Sequence, residues 1–586
     1  MLHLIIGGAG CGKSTRLIGQ IRKAYEQGER IYALVPEQYS FTNDLKLYEA
    51  LGPTAFNAIQ SLSFTSLARA LFQQYGGRSG EYADDLTKTI LLYQSIRALS
   101  DSSAFSHFDR QAKKPAFQDA AAKAITELRR GSISPEALLE QTARLEGRLR
   151  DKAADLAVLY GDYDRRLQEK GYKDSLTDIT EAAALCAGNE HFKGALLFLD
   201  EFESFTGDQM EFLDVLFAQA KELWITLRTE DPEAPAYSVF DATNATYRRL
   251  LALAQKHRTR HEILLCKEHF RFRYPDLAHV SRSILRPVHT QLPTAEHIHV
   301  FEAKNCYTEA DCACAHIRKL VREQGVRYAD IAIVTHQLEE YAGILESACI
   351  RYSIPFHLDR KISCMHTALL QLMSGVLELI SEKRPRTETL LRYAKTRLLG
   401  ISCERTARLE SYCYTWNVDG MMWLEPFTAG LEENSDLETL RRELVEPIMQ
   451  LREACRGQNV RTLCKELYQF LCRMNVPRNI SGITQDYQEA GCTAEASALK
   501  ALWGSLADVL DALCNVLGDA VLPTSRFRDL MQALLSRISY RTPPQSLDAV
   551  LVASAETARL NAPKYVFVLG VSEGFFPSQV HSTGLF

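Results

Sequence analysis

The chain has 586 residues, of which 46% are hydrophobic and 24% charged, and this composition indicates a folded globular protein of several domains. The net charge of -5 excludes an overall basic field, so any DNA-binding surface has to be a local groove. No apolar run approaches the ~20 residues of a membrane span, and fifteen cysteines without C-x-x-C pairs favour reduced thiols. We therefore expect a cytoplasmic protein without a membrane contact.

The first element is an apolar strand at residues 2–6, followed by the stretch GGAGCGKST. Its spacing fits the phosphate-binding loop G-x-x-x-x-G-K-[ST], in which backbone N–H groups and the next helix surround phosphates. Lys13 would reach the outer phosphates, and Ser14 would ligate Mg²⁺. The alternative is a glycine-rich turn between a strand and a helix. The predicted ATP-binding residues are Gly7, Gly8, Ala9, Gly10, Cys11, Gly12, Lys13, Ser14 and Thr15.

The pattern along the chain predicts an α/β fold with two parallel-sheet domains, each split by a large helical insertion. The first domain comprises residues 1–80 and 190–290, around a helical insertion at 81–189. The second begins near HIHVFEAKN and comprises residues 291–375 and 546–586, around a helical insertion at 376–545. Apolar strands are expected at residues 31–35, 195–199 and 330–336 and in the segments ELWITLR and SLDAVLVASAETARLNAPKYVFVLG.

The strand at residues 195–199 ends in Asp200 and Glu201, which is the placement of a Walker B pair. A phosphate-binding loop needs such a partner, because an aspartate holds the Mg²⁺ and a neighbouring carboxylate orients the attacking water. We therefore predict Asp200 as a metal ligand together with Ser14, and Glu201 as the catalytic residue. The alternative is an acidic turn after a buried strand.

Two stretches resemble motifs of superfamily 1 DNA helicases of the UvrD and Rep type. FLDEFESFTGDQ is similar to motif II, DEFQDTNxxQ, with Asp200, Glu201, Phe202 and Gln209 matching. The final stretch resembles motif V, but Glu556, Arg559 and Ala562 replace the histidine, lysine and glutamate of that motif.

The chain is more closely similar to the AddB family, the second subunits of AddAB helicase-nucleases. Seven stretches recur in the order of that family: GGAGCGKST, LVPEQYSF, SFTSLAR, IPFHLDRK, YAKTRLL, LESYCYTWNVDG and FVLGVSEGFFP. The resemblance implies two RecA-like P-loop NTPase-type domains, binding of ATP and Mg²⁺, an AddA-like partner in a heterodimer, and DNA ends as substrate. The family's iron-sulfur cluster and nuclease domain are not expected in these residues.

The resemblance also implies that such a protein reads a recombination hotspot in single-stranded DNA rather than serving as the main motor. The residues that match the reading motifs are Gln38, Ser40, Phe64, Ser66 and Phe202. A glutamine can pair with a base edge, and an exposed phenylalanine can stack on a base. For the two phenylalanines, burial in the core is the alternative interpretation.

Several motor residues of superfamily 1 have no counterpart. The chain starts at the strand before the loop, which leaves no place for the upstream glutamine that reads adenine in motor helicases. The motif III pattern GDxxQ is missing after ELWITLR, and His336 stands where motor helicases place an arginine. The last motor arginine would lie beyond Phe586. We therefore expect ATP binding without strong motor coupling. The alternatives are an active superfamily 1 translocase and an unrelated P-loop NTPase.

Overall fold

The computed structural model of the chain describes residues 1–578 except 60, 78–79, 235–238, 284–290, 431–434, 542–545, 547, 557 and 559–562. The chain divides into two compact units. The first comprises Met1–Ala83 and Ala120–Val300, and the second comprises Asp84–Asp119 and Phe301–Phe586.

The described residues contain fourteen strands and twenty-one α-helices. The strands are β1 Leu2–Gly7, β2 Ile31–Leu34, β3 Ser61–Leu62, β4 Glu81–Tyr82, β5 Tyr172–Lys173, β6 Leu196–Leu199, β7 Glu222–Leu227, β8 His261–Cys266, β9 Ile331–Thr335, β10 Phe356–Leu358, β11 Lys361–Ser363, β12 Ser539–Arg541, β13 Val550–Ser554 and β14 Tyr565–Leu569. The helices are α1 Lys13–Glu26, α2 Ser40–Ala58, α3 Phe64–Tyr75, α4 Asp85–Asp101, α5 Pro115–Arg130, α6 Pro135–Thr142, α7 Gly147–Glu169, α8 Asp178–Asn189, α9 Gly207–Gln219, α10 Asp241–Lys256, α11 Pro275–Ser283, α12 Cys306–Gln324, α13 Leu338–Arg351, α14 Ala368–Ser381, α15 Thr387–Ala394, α16 Cys403–Thr415, α17 Ser435–Cys455, α18 Val460–Arg473, α19 Val476–Glu489, α20 Thr493–Leu517 and α21 Thr524–Leu535.

The first unit is built on a six-stranded sheet with the order β3-β2-β6-β7-β1-β8, in which all neighbours are parallel. Every residue of β1 is buried. Leu4 belongs to one hydrophobic cluster and Ile5 to another. Since successive side chains of a strand point to opposite faces, both faces of the sheet are covered. This explains why its central strands are mostly apolar and why β6 is apolar throughout.

The second unit contains a four-stranded parallel sheet with the order β10-β13-β9-β14, packed against α12 and α13. Helix α4 belongs to this unit because it packs against α20 and α21. Arg526 reinforces this contact by donating two hydrogen bonds, of 2.8 and 3.0 Å, to the carboxylate of Asp101. The four-part domain division expected from the sequence stays a prediction.

The α/β class with parallel sheets is confirmed. Strand β8, which the sequence pattern did not predict, lies at one edge of the six-stranded sheet. The segment HIHVFEAKN, where we expected the second α/β unit to begin, forms no strand. None of the helices within the described ranges combines the length and the apolar character needed to cross a bilayer.

We expect the stability of the second unit to depend on the ionisation of Glu438. Its carboxylate accepts hydrogen bonds from Arg441, Arg442 and the Phe427 N–H, and these bonds, led by that from Arg441, hold its pKa at about 2. A carboxyl with a depressed pKa contributes stability above its unfolded pKa of 4.5 and loses it as the pH falls toward 2. In Glu438→Gln, this part of the acid-induced loss of stability is expected to disappear.

Urea unfolding at neutral pH and at several points between pH 4.5 and 2 measures this difference. Glu453→Gln is the matched control on the same helix. The Glu453 carboxylate lies 3.9 Å from the Arg456 guanidinium, and both side chains are about four-fifths exposed, so this pair should contribute little to stability. Equal pH profiles for wild type and Glu438→Gln would contradict the prediction.

Candidate nucleotide-binding site

The loop between β1 and α1 adopts a conformation that depends on its glycines. Gly10 and Gly12 have φ angles of 75° and 79°, in the left-handed region that glycine enters without steric cost. Helix α1 begins directly afterwards at Lys13 and has no acidic residue in its first turn. Its N-terminus therefore presents unpaired N–H groups and the positive end of the helix dipole, which together favour an anion.

The Lys13 side chain folds back onto this loop. Its Nζ donates hydrogen bonds to the carbonyl oxygens of Gly7, at 2.9 Å, and Gly8, at 2.7 Å. The ammonium group is thus held beside the loop N–H groups instead of extending along the helix surface. A cation in this place can contact the outer oxygens of a phosphate chain bound by the loop.

The predicted acidic pair follows β6, which is separated from β1 by β7 alone. Asp200 is buried, with 3% of its surface exposed, and its Oδ1 accepts a hydrogen bond of 2.5 Å from the Thr226 hydroxyl. Its Oδ2 is also buried but has no hydrogen-bond partner in the described part of the chain. A buried carboxylate oxygen without a partner is costly unless a ligand satisfies it.

Glu201 points toward the phosphate-binding loop. The Ser14 hydroxyl donates to its Oε1 at 3.4 Å, and the Lys46 ammonium lies 3.8 Å from the same oxygen. The backbone of Glu201 has a φ angle of 61°, a conformation that costs a non-glycine residue ~1–3 kcal/mol and that clusters at functional sites. The structure thus brings Ser14 and Glu201, which are far apart in the sequence, into direct contact.

These oxygen donors fit a magnesium ion shared with a nucleotide. Mg²⁺ in NTP sites takes one or two protein oxygens together with phosphate oxygens, and the free Oδ2 of Asp200 and the Ser14 hydroxyl are such donors. No group of three or more His, Cys, Asp or Glu side chains able to hold a metal occurs among the residues that the structure describes. The assignment of Ser14 and Asp200 as metal ligands stays a prediction.

The segment after β8 contacts the phosphate-binding loop, and the sequence analysis missed it. The backbone N–H groups of Phe270 and Arg271 both donate to the Gly10 carbonyl, at 2.9 and 3.2 Å. The Phe270 ring lies beside Gly12 and is 70% exposed. A Cβ atom on Gly10 would come within 2.3 Å of the Arg271 Cβ. The sequence feature that could have revealed this segment is the strand-like run EILLC, with alternating aromatic and basic residues shortly after it in HFRFR.

The predicted DNA-binding residues near β2 and β3 are placed differently from one another. Gln38 lies in a short 3-10 helix directly after β2 and is exposed. The Ser40 hydroxyl donates to the Glu37 carbonyl at 2.6 Å. The Ser66 hydroxyl is half-buried and caps helix α3 through reciprocal bonds with Ser63. Gln38 is therefore free to contact a ligand, while Ser40 and Ser66 also have local structural bonds.

Phe64 and Phe202 come together, but in the hydrophobic core. They are only 3% and 6% exposed, and their rings meet edge to face with centroids 5.7 Å apart. Phe205 and Phe212 complete the aromatic cluster. Both phenylalanines are therefore buried in the core, which was the alternative interpretation of the sequence. Contact of these two rings with DNA stays a prediction.

At the carboxyl edge of the second sheet, His336 follows β9 and its Nδ1 lies 3.6 Å from the Glu556 carboxylate. The His336 ring stacks on Phe576 with centroids 5.7 Å apart. Arg559 and Ala562, two further departures from motif V, lie outside the described residues. The described part of this edge therefore carries a histidine–carboxylate pair.

Comparison with known proteins gives consistent matches. The family model described as "ADDB, N-terminal" matches residues 4–281. The chain is 27% identical to the B subunit of the ATP-dependent helicase/deoxyribonuclease of Acetivibrio thermocellus and 28% identical to that of Clostridium botulinum strain Hall. It is 27% identical to the protein of the same name from Clostridioides difficile strain 630. All of this chain but only 53% of each relative is covered, so the chain spans about half the length of these curated relatives.

Proposed function

We propose that the chain, which matches the family model "ADDB, N-terminal" over residues 4–281 and the helicase/deoxyribonuclease B subunits along its whole length, is a member of the AddB family. In this proposal it is the ATP- and single-stranded-DNA-binding, helicase-like subunit of a complex that processes double-strand breaks. Its partner would be an AddA-like helicase-nuclease protein, and DNA ends would be the substrate. The observation that carries the proposal is the approach of Ser14 to Glu201, at 3.4 Å, which joins the phosphate-binding loop to the acidic pair after β6.

The roles of the residues follow from this geometry. Lys13 and the loop N–H groups would bind the outer phosphates, and Ser14 and Asp200 would hold Mg²⁺, which supplies charge neutralisation at the phosphates. Glu201 would orient a water molecule. Phe270, exposed next to Gly12, would offer an apolar face to the nucleotide base, and Arg271 a second cation near the loop.

We propose that each parallel sheet is the centre of one RecA-like domain. The helical segments at residues 81–189 and 376–545, which separate the strands of each sheet along the chain, would be the insertions. The parallel order β6-β7-β1 supports this for the first sheet, because ligands of open α/β sheets bind at the carboxyl ends of the strands. For the second sheet, the support is the parallel order β10-β13-β9-β14.

Recognition of a hotspot sequence, rather than motor activity, is the finer part of the proposal. A motor needs arginines from its second domain to stabilise the transferring phosphoryl group. At the described carboxyl edge of the second sheet, His336 faces the acidic Glu556 instead, and a carboxylate repels a phosphate. An active superfamily 1 translocase remains the second candidate because the Asp200–Glu201 pair is intact. An unrelated single-domain P-loop NTPase would have no use for the second parallel sheet.

The experiment for hotspot reading compares Gln38→Ala with Lys46→Ala on a panel of single-stranded oligonucleotides that includes hotspot candidates. We expect the Gln38 variant to lose affinity only for certain sequences, by ~1–3 kcal/mol, since a side-chain amide satisfies one base edge and leaves another unpaired. Lys46 lies on helix α2, which follows Gln38, and its side chain is 42% exposed; we propose it as a phosphate contact. The Lys46 variant should then lose affinity equally for all sequences, because phosphate contacts carry no sequence information.

Equal losses for every oligonucleotide in the Gln38 variant would make Gln38 a structural residue and would remove sequence reading from this segment. Fluorescence anisotropy at a fixed salt concentration is the suitable measurement, since the phosphate contribution varies steeply with salt.

A further inference from the structure

Two cysteine side chains meet beneath the phosphate-binding loop. Cys11 lies in the loop between Gly10 and Gly12, and Cys266 is the last residue of β8, paired in the parallel register with Gly7. They are 255 positions apart in the sequence. Strand β8 lies next to β1, and this neighbour relation brings the second thiol under the loop.

The absence of a side chain at Gly7 makes room for both cysteines. A Cβ atom at Gly7 would lie 2.5 Å from the Cys11 Sγ and 3.0 Å from the Cys266 Cβ. The Cys11 thiol donates to the Gly8 carbonyl at 3.0 Å. Burial raises the pKa of the Cys266 thiol, and the positive charge of Arg16 opposes this shift in part. The two sulfur-bearing side chains thus share one small buried space beneath the loop.

We propose that Cys11 and Cys266 form a thiol oxidation site whose disulfide closes the nucleotide pocket to ATP. The effect on ATP rests on the proposed function, whereas the formation of the cross-link does not. The oxidant is a hydroperoxide, a class that accepts the two electrons that two thiols release.

The reaction has two steps. In the first step, the Cys11 sulfur attacks a peroxide oxygen, the O–O bond breaks, and one water leaves, so that Cys11 becomes a sulfenic acid. The Cys11 thiol proton passes to the departing oxygen, and the Lys13 ammonium, 3.8 Å from the sulfur, stabilises the negative charge that develops on that oxygen. In the second step, the Cys266 sulfur attacks the Cys11 sulfur, the S–O bond breaks, and a second water leaves. Hydrogen peroxide is reduced and both thiols are oxidised.

The disulfide would act on the loop directly. It removes the bond from the Cys11 thiol to the Gly8 carbonyl and ties residue 11 to the end of β8. The loop N–H groups have to converge on phosphate oxygens, and a loop tied at its centre to the neighbouring strand cannot adjust to them. We expect the affinity for ATP to fall at least about tenfold and to recover after reduction.

The experiment treats the whole chain with hydrogen peroxide, blocks remaining thiols by alkylation, and maps cross-linked peptides by mass spectrometry. Binding of a non-hydrolysable ATP analogue is measured before oxidation, after oxidation, and after reduction. Cys266→Ser is the resistant variant, which should bind the analogue like wild type and keep its affinity after oxidation. The control variant is Cys314→Ser, which removes another close pair of buried thiols, Cys314 and Cys349, with sulfur atoms 3.8 Å apart. This variant should remain sensitive to peroxide.

A Cys11–Cys266 peptide together with reversible loss of binding in wild type and Cys314→Ser, but not in Cys266→Ser, would support the proposal. No such peptide, or a cross-link that leaves the affinity unchanged, would overturn it. Failure of the reduced wild-type chain to bind the analogue would instead overturn the proposed function, and the peptide map distinguishes the two cases because it requires no nucleotide.

Discussion

Lys13→Ala is expected to reduce ATP affinity by about 100-fold or more while leaving the fold intact. Its ammonium is held over the loop by the Gly7 and Gly8 carbonyls, in the position from which it would neutralise the outer phosphates. Each charge-assisted hydrogen bond to a phosphate is worth ~1.5–3 kcal/mol, and this side chain can make more than one. Isothermal titration calorimetry with an ATP analogue, together with circular dichroism for folding, measures the effect.

Lys23→Ala is the matched control, since Lys23 lies in the last turn of the same helix α1 and is exposed on its surface. The control should bind like wild type. Retained affinity in Lys13→Ala would rule out the phosphate-binding loop. The same pair addresses the second candidate function, because an active translocase would show DNA-stimulated ATP turnover that Lys13→Ala abolishes and Lys23→Ala preserves.

The second large effect concerns a buried ionic cluster in the helical part of the first unit. The guanidinium of Arg129 donates to the carboxylates of Asp174 and Asp164, and it lies over the rings of Tyr160 and Tyr163 at 5.5 and 5.3 Å. The side chains of Arg129 and Asp174 are each only 4% exposed. Asp174→Ala is expected to lower the free energy of unfolding by ~3–5 kcal/mol, because it leaves a buried charge without its main partner.

Urea unfolding followed by circular dichroism measures this loss. Glu190→Ala is the control, since Glu190 pairs with Lys193 at 2.7 Å while both side chains are about two-thirds exposed, and such a pair contributes less than ~1 kcal/mol. A loss for Asp174→Ala as small as that of the control would mean that solvent reaches Arg129 and that the cluster does not stabilise this unit.

Local sequence was sufficient for the motifs that are continuous in the chain. The stretch GGAGCGKST is recognisable because the phosphate-binding pattern prescribes glycines, a lysine and a hydroxyl at fixed spacing after a strand, and the structure places this stretch at the junction of β1 and α1. The same holds for Asp200 and Glu201, which follow a fully apolar strand. The α/β class also followed from local patterns, because buried parallel strands are short continuous apolar runs that differ from the 3.6-residue period of helices.

Only the tertiary structure decided which distant residues share the site. Strand β8 has an apolar run of only four residues, Ile263 to Cys266, and as an edge strand most of its positions are exposed, so its local pattern did not single it out as part of the sheet. Its position beside β1 brings Phe270 and Cys266 to the phosphate-binding loop, and no local pattern contains that pairing. The assignment of α4 to the second unit and the burial of Phe64 against Phe202 likewise depend on packing between segments far apart in the chain. Propensity and periodicity report local preferences, whereas strand order and burial are properties of the whole fold.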